Sequence, residues 1–220
     1  MARADVPPGR ISRSAEPPTG PSDAALRRRC VHAFARRFDY DEPHARQVAR
    51  LALQLFDATR RLHCLGLRER ELLEFAALLH DVGRSVSPSK HHKHSSYLIR
   101  NGALEAFAPE EVSVIAAVAR FHRGTIPRLS HEEIAELPSG LRDAVIRLAA
   151  ILRVADGLDR SHGQGVRNLV VLRGGGLTRI YVDAARADAA VDLGGASRNA
   201  KLWERVFDAR VEFKLRQSTG

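Results

Sequence analysis

The chain has 220 residues, 44% of them hydrophobic, and a formal net charge of +9, enough for one good-sized domain or a domain with a small appendage. Its two cysteines, Cys30 and Cys64, exclude a disulfide framework or a zinc knuckle and indicate a reduced intracellular setting. The longest apolar stretches fall far short of a membrane span and the N-terminus has no hydrophobic signal region, so the expected location is cytoplasmic, with no membrane partner. The basic excess favours phosphorylated ligands or other polyanions, nucleic acid among them, although aromatic residues are too few for a base-stacking platform.

Residues 1–22 carry five prolines and little apolar surface, and read as a disordered tail. Helical patterning starts at Asp23, a capping residue. It predicts helices over 23–38, 43–64, 68–81, 92–101, 110–122 and 139–161, with Pro43, Pro109 and Pro138 near starts and Gly66, Gly83, Gly102 and Gly124 near stops. Past His162 the texture changes. VRNLVVL and TRIYVDA are short, β-branched and alternating, and flank Gly174-Gly175-Gly176, which predicts a hairpin. SRNAKLWERVFD then reads as one amphipathic helix facing Leu202, Val206 and Trp203 inward, and ARVEFKL as a final strand. The expected fold class is mainly α: a helical domain over 23–163 with a small α+β annex over 164–217.

The chemistry sits on the buried stripes. His44 precedes Val48, Leu51 and Leu55 at helical steps, and His80 follows Leu73 and Ala76 in the same way. His122 follows Ile115 and Val118, His94 precedes Leu98, and Asp156 follows Leu141, Val145, Leu148 and Leu152. One histidine on an apolar stripe is commonly a hydrogen-bonded core residue. Four of them, with Asp81 beside His80 and an inward Asp156, point instead to a shared cation, because an unpaired buried carboxylate carries a large desolvation cost. A divalent Mn, Fe or Mg ion fits such donors, and the imidazole-rich set leans away from Mg. His91 and His92 precede His94 and stay open as groups that reach the site or a substrate phosphate. His32, His63, His131 and His162 read as structural or surface residues.

Basic residues cluster at the same places: Arg84 after the HDVG turn, Lys90 and Lys93 beside the histidine run, Arg123 after His122, and Arg153 and Arg160 around Asp156. Guanidinium forks fit phosphate oxygens, and as a set these residues look like a phosphate clamp, with Arg84 and Arg123 foremost.

The order His, His-Asp, His, His, Asp on helices resembles the HD superfamily of metal-dependent phosphohydrolases. The segments DEPHARQVARLALQLFDA, LLEFAALLHDVGRSVSPSKHHKHSSYLIRN, VIAAVARFHR and RLAAILRVADGLDRSH are similar, more narrowly, to the C-terminal HD region of the exopolyphosphatase/guanosine pentaphosphate phosphatase (Ppx/GppA) family. The resemblance implies that His44, His80, Asp81 and Asp156 hold one metal ion, and that His94 and His122 stand where binuclear relatives place further ligands. It does not imply exopolyphosphatase chemistry, which in that family belongs to N-terminal actin-like domains with no counterpart in this sequence. The expected function is hydrolysis of a nucleotide or other small phosphate ester. Asp81 or a nearby histidine would accept the water proton, Arg84 and Arg123 would neutralise phosphate charge, and Lys90, Lys93 and Arg153 would bind substrate. The alternative is a non-catalytic module that binds polyphosphate, a nucleotide second messenger or RNA, or that partners a Ppx/GppA-like phosphatase; the resemblance also implies homodimer contacts.

Overall fold

The computed structural model of the chain describes residues 21–184 and 186–216. The expected tail falls almost wholly outside these residues. The chain is mainly α with a small α+β annex, as its patterning predicts.

Helix α1 (Pro21–Ala35) is tied to the body by Arg27. Its guanidinium lies 4.4 Å from the Phe107 ring and within 3.1 Å of Glu111, which satisfies a charge that burial would otherwise penalise. Helix α2 (Glu42–Ala58) starts where Asp41 caps it, accepting from the His44 backbone N–H at 3.0 Å, with Pro43 in the first turn. The single helix expected over 43–64 is interrupted at Thr59, whose hydroxyl donates to the Leu55 carbonyl at 2.6 Å; the short α3 (Arg60–His63) follows.

Helix α4 (Leu67–Leu79) runs into His80 and Asp81 and then a 3₁₀ turn, Val82–Ser85. Gly83 in this turn is a close-approach glycine, because a Cβ there would collide with the backbone of His91 and Ser95. Its N–H donates to Ser95 Oγ at 2.9 Å. The HDVG segment therefore docks directly on the start of α5 (His91–Asn101). Helices α6 (Pro109–Arg120), α7 (Glu132–Ala135) and α8 (Ser139–Gly157) complete the domain. Leu51, Leu55, Phe75, Leu79, Ile115, Phe121 and Ile151 form the centre of the core. Helix α8 stops at Gly157, short of the predicted residue 161, and this releases Asp159 and His162 into a tight turn.

In the annex, β1 (Val166–Gly174) and β2 (Leu177–Ala184) pair antiparallel around Gly175 and Gly176, both with positive φ as a two-residue hairpin loop requires. The chain then returns through α9 (Arg186–Asn199) and α10 (Lys201–Phe207) to β3 (Arg210–Arg216), which lies parallel to β2. The one helix expected over 197–208 is thus two, and α9 is a longer element than the pattern indicated. Gly195 serves helix packing: a Cβ there would come within 2.5 Å of the Gly157 carbonyl oxygen, so α8 and α9 cross there backbone to backbone. Two hydrogen bonds support the crossing, Asn199 Nδ2 to the Arg153 carbonyl at 2.9 Å and Ser161 N to Asp192 at 2.8 Å. The annex braces the end of α8. Among the described residues no helix is long and apolar enough to cross a membrane.

Candidate metal centre

Three helix termini bring the predicted ligands together. His44 stands in the first turn of α2, His80 and Asp81 close α4, and Asp156 lies in the last turn of α8. One ligand atom from each of His44, His80 and Asp81 falls within 4.8 Å of the others, and all three residues are buried. Asp156 Oδ1 lies 3.5 Å from His44 Nε2 and 3.6 Å from His80 Nε2, so it joins the same cluster. A second cluster, Asp81, His91 and His122, shares Asp81 with the first. Asp81 Oδ1 lies 3.0 Å from His91 Nε2, 3.7 Å from His122 Nε2 and 3.8 Å from His80 Nε2, a bridging position between two sets of donors.

The imidazoles are all prepared in one sense. The Nδ1 of His80 meets the Ala77 carbonyl at 2.7 Å, that of His122 the Ala119 carbonyl at 2.7 Å, and that of His91 the Pro88 carbonyl at 2.9 Å. His44 Nδ1 meets the Asp159 carboxylate at 2.8 Å. Each acceptor holds a proton on Nδ1 and turns Nε2 inward, the arrangement that metal-binding histidines adopt; on His44, whose pKa is raised, an ion would displace the proton on Nε2. His44 Nε2, His80 Nε2 and Asp81 Oδ1 are buried and lack any hydrogen-bond partner, so the short Asp81–His91 approach is off hydrogen-bonding geometry. Unpaired buried donors and acceptors are costly, and a cation satisfies all three at once. The donor set fits a divalent ion.

Electrostatics agree. Burial acts against charge on Asp81 and Asp156, yet neighbouring histidines, His80 for Asp81 and His44 and His80 for Asp156, hold both carboxyls well below the usual range and therefore ionised. Burial also opposes a charged His44, but Asp156 and Asp159 outweigh it and raise its pKa to about 9. His122, desolvated and next to His80, is pushed down to about 3 and presents a neutral imidazole.

Among the cationic residues, Arg84 is partly exposed with Nη1 3.6 Å from Asp81 Oδ2, and Arg123 is exposed with Nη1 3.5 Å from His91 Nε2. Lys90 precedes His91 with φ +57 and is exposed. Arg84 and Arg123 thus lie directly against residues of the clusters, and Lys90 adjoins His91 in sequence. The structure places three other predicted site residues outside the two clusters. Arg153 is not free to bind substrate: its guanidinium donates to the carbonyls of Phe121, Gly124 and Thr125 at 2.6, 3.0 and 2.6 Å and fastens the loop that carries His122. Lys93 lines a cleft with Tyr97, Arg100 and Arg120 that contains none of the clustered donors. His94 stands outside both clusters, and His91 supplies the imidazole instead. The reason is helical phase: α5 begins at His91, and His91, Ser95 and Ile99 share its buried face, with His94 turned off it.

Two further residues stand against His44: Asp159, which carries no expectation from sequence, and His162, which reads there as a structural or surface residue. Asp159 is fully buried and orients His44, and His162 stacks on the His44 ring with centroids 3.8 Å apart while its Nδ1 meets Asp41 at 2.8 Å. Asp159 lies past the end of α8, so helical period carries no signal for it.

A family model described as Ppx/GppA phosphatase, domain III, matches residues 26–171. The guanosine-5'-triphosphate,3'-diphosphate pyrophosphatase of Pseudoalteromonas translucida (strain TAC 125) is 32% identical over 104 residues, covering 47% of this chain. That match spans 21% of the relative's length. The matched region takes in α2, α4 to α6 and α8, the elements that carry every donor of the two clusters. The chain belongs to the Ppx/GppA phosphatase family, through the region that corresponds to its domain III.

Proposed function

We propose that the protein is a metal-dependent phosphohydrolase of the HD type, acting on a nucleotide or another small phosphate ester. The observation that carries this reading is the set of three buried, unpartnered ligand atoms, His44 Nε2, His80 Nε2 and Asp81 Oδ1, with the Nδ1 atoms of both histidines already committed. His44, His80, Asp81 and Asp156 hold one divalent ion, and Asp81, His91 and His122 offer a second position. Such an ion supplies Lewis acidity and a lowered pKa for water next to a phosphoryl group. Arg84 and Arg123 lie on the exposed side, where their donors fit phosphate oxygens and offset charge that builds up during transfer. Asp81 or a neighbouring histidine would accept the proton of the attacking water. The relation to a phosphatase family and the basic residues beside the clusters both support a phosphorylated substrate.

The test compares wild type, Asp81→Asn and Arg84→Ala for metal content and for phosphate release from nucleotides, polyphosphate and a generic ester with Mn²⁺. The account expects turnover by the wild type, a loss of at least about a hundredfold in Asp81→Asn, and weakened turnover with unchanged metal content in Arg84→Ala. A wild type that holds metal yet hydrolyses none of these, while binding polyanions in a salt-sensitive manner, would replace the enzyme reading with that of a binding module.

A further inference from the structure

Carboxylates surround the His44 imidazole. Asp156 faces its Nε2, and Asp41 caps its helix and holds the His162 ring that stacks on it. Asp159 has the most constrained place of the three. It is fully buried, and each of its oxygens accepts one N–H: Oδ2 from His44 Nδ1 at 2.8 Å and Oδ1 from the Gln164 backbone at 2.8 Å. Its own carbonyl accepts from the His162 backbone at 3.0 Å. The turn so fixed contains two non-glycine residues with positive φ, His162 at +57° and Gln164 at +50°. Such conformations persist only where surrounding contacts impose them. Ser161 in the same turn is held from outside by Asp192 of α9.

We propose that Asp159 is a positioning residue of the metal centre, holding His44 in the Nδ1–H tautomer that presents Nε2 to the ion while latching the turn that lays His162 over the same ring. The inference rests on the metal reading of the site and on no hydrolytic activity. A carboxylate is required because two acceptors are needed. An asparagine has one acceptor oxygen. If that oxygen turns to Gln164, its amide N–H faces His44 Nδ1 and favours the Nε2–H tautomer, which cannot ligate. If it turns to His44, two N–H groups oppose each other and the turn is released.

The experiment measures Mn²⁺ affinity of wild type and Asp159→Asn by electron paramagnetic resonance of free Mn²⁺, and the imidazole nitrogen signals of His44 by NMR in Zn²⁺-loaded protein. The expected result is an exchange-protected Nδ1–H signal in the wild type, its loss in Asp159→Asn, and about 10- to 100-fold weaker metal binding by a folded variant. A merely structural carboxylate would lower the melting temperature and leave the Mn²⁺ affinity of the folded protein unchanged, which overturns the proposal. A wild-type His44 that carries its proton on Nε2 in the loaded protein overturns it without recourse to any variant, and this signal decides the matter if Asp159→Asn does not fold. Failure of the wild type to bind either ion refutes the metal reading itself.

Discussion

Adjacent glycines in α9 should respond to alanine with opposite signs. At Gly195 a Cβ would stand 2.5 Å from the Gly157 carbonyl oxygen and 2.8 Å from Arg160 Cβ. Ordinary contact begins at 3.4 Å, so α8 and α9 must part by roughly 0.9 Å, and the backbone atom in the way has no rotamer to change. Overpacking of this kind costs about 1–3 kcal/mol, with backbone collisions at the upper end, and the gain in helix propensity returns about 1 kcal/mol. The net loss of about 2 kcal/mol lowers the melting temperature by about 4–8 °C for a chain of this size. At Gly194 the nearest atom is the flexible Arg198 Nη1 at 3.4 Å, so Gly194→Ala keeps the propensity gain of roughly 0.5–1 kcal/mol and raises the melting temperature by about 1–4 °C. Thermal unfolding followed by circular dichroism measures both variants. An equal rise for Gly195→Ala would refute the close crossing of α8 and α9 and with it the bracing role of the annex.

Arg153→Met strips three loop carbonyls of their donor and should cost about 1–3 kcal/mol, with faster amide exchange over residues 121–125; unchanged exchange there contradicts its role as a tie. His91→Ala should lower metal stoichiometry or affinity while His94→Ala leaves both intact, and metal analysis giving the reverse order would restore His94 as the ligand. In metal-free protein His44 has a pKa raised to about 9 from an unfolded value near 6.5, so the stability it contributes is complete below about pH 6.5 and declines as pH rises through about 9. Metal binding must displace that proton, so Mn²⁺ affinity should climb with pH up to about 9; a titration with affinity flat from pH 6.5 to 9 contradicts the assignment.

The convergence of His44, His80 and Asp156 was legible because each sits on a stripe of helical period, and that period fixes which way a side chain faces. Asp81 followed from adjacency to His80. The choice between His91 and His94 was not legible. Residues on a helix differ by about 100° per step, and the phase of α5 depends on where Lys90 turns the chain into it with φ +57. Arg153 looked like a phosphate ligand because sequence shows its charge and not the three carbonyls that occupy it. Helix α9 was invisible for a related reason: ADAAVDLGGAS has no apolar stripe, and its two glycines depress helix propensity locally, although one of them, Gly195, is required by the contact with Gly157. Asp159 escaped notice because it lies beyond the end of α8, where its burial comes from the turn and from neighbours distant in sequence.

The central claim is that the four residues His44, His80, Asp81 and Asp156 hold a divalent cation. Anomalous diffraction at the manganese edge from Mn²⁺-loaded crystals tests it most directly. The account predicts an anomalous peak about 2.0–2.3 Å from His44 Nε2, His80 Nε2 and carboxylate oxygens of Asp81 and Asp156. Absence of a peak there at saturating Mn²⁺, or a peak coordinated elsewhere on the chain, would contradict it.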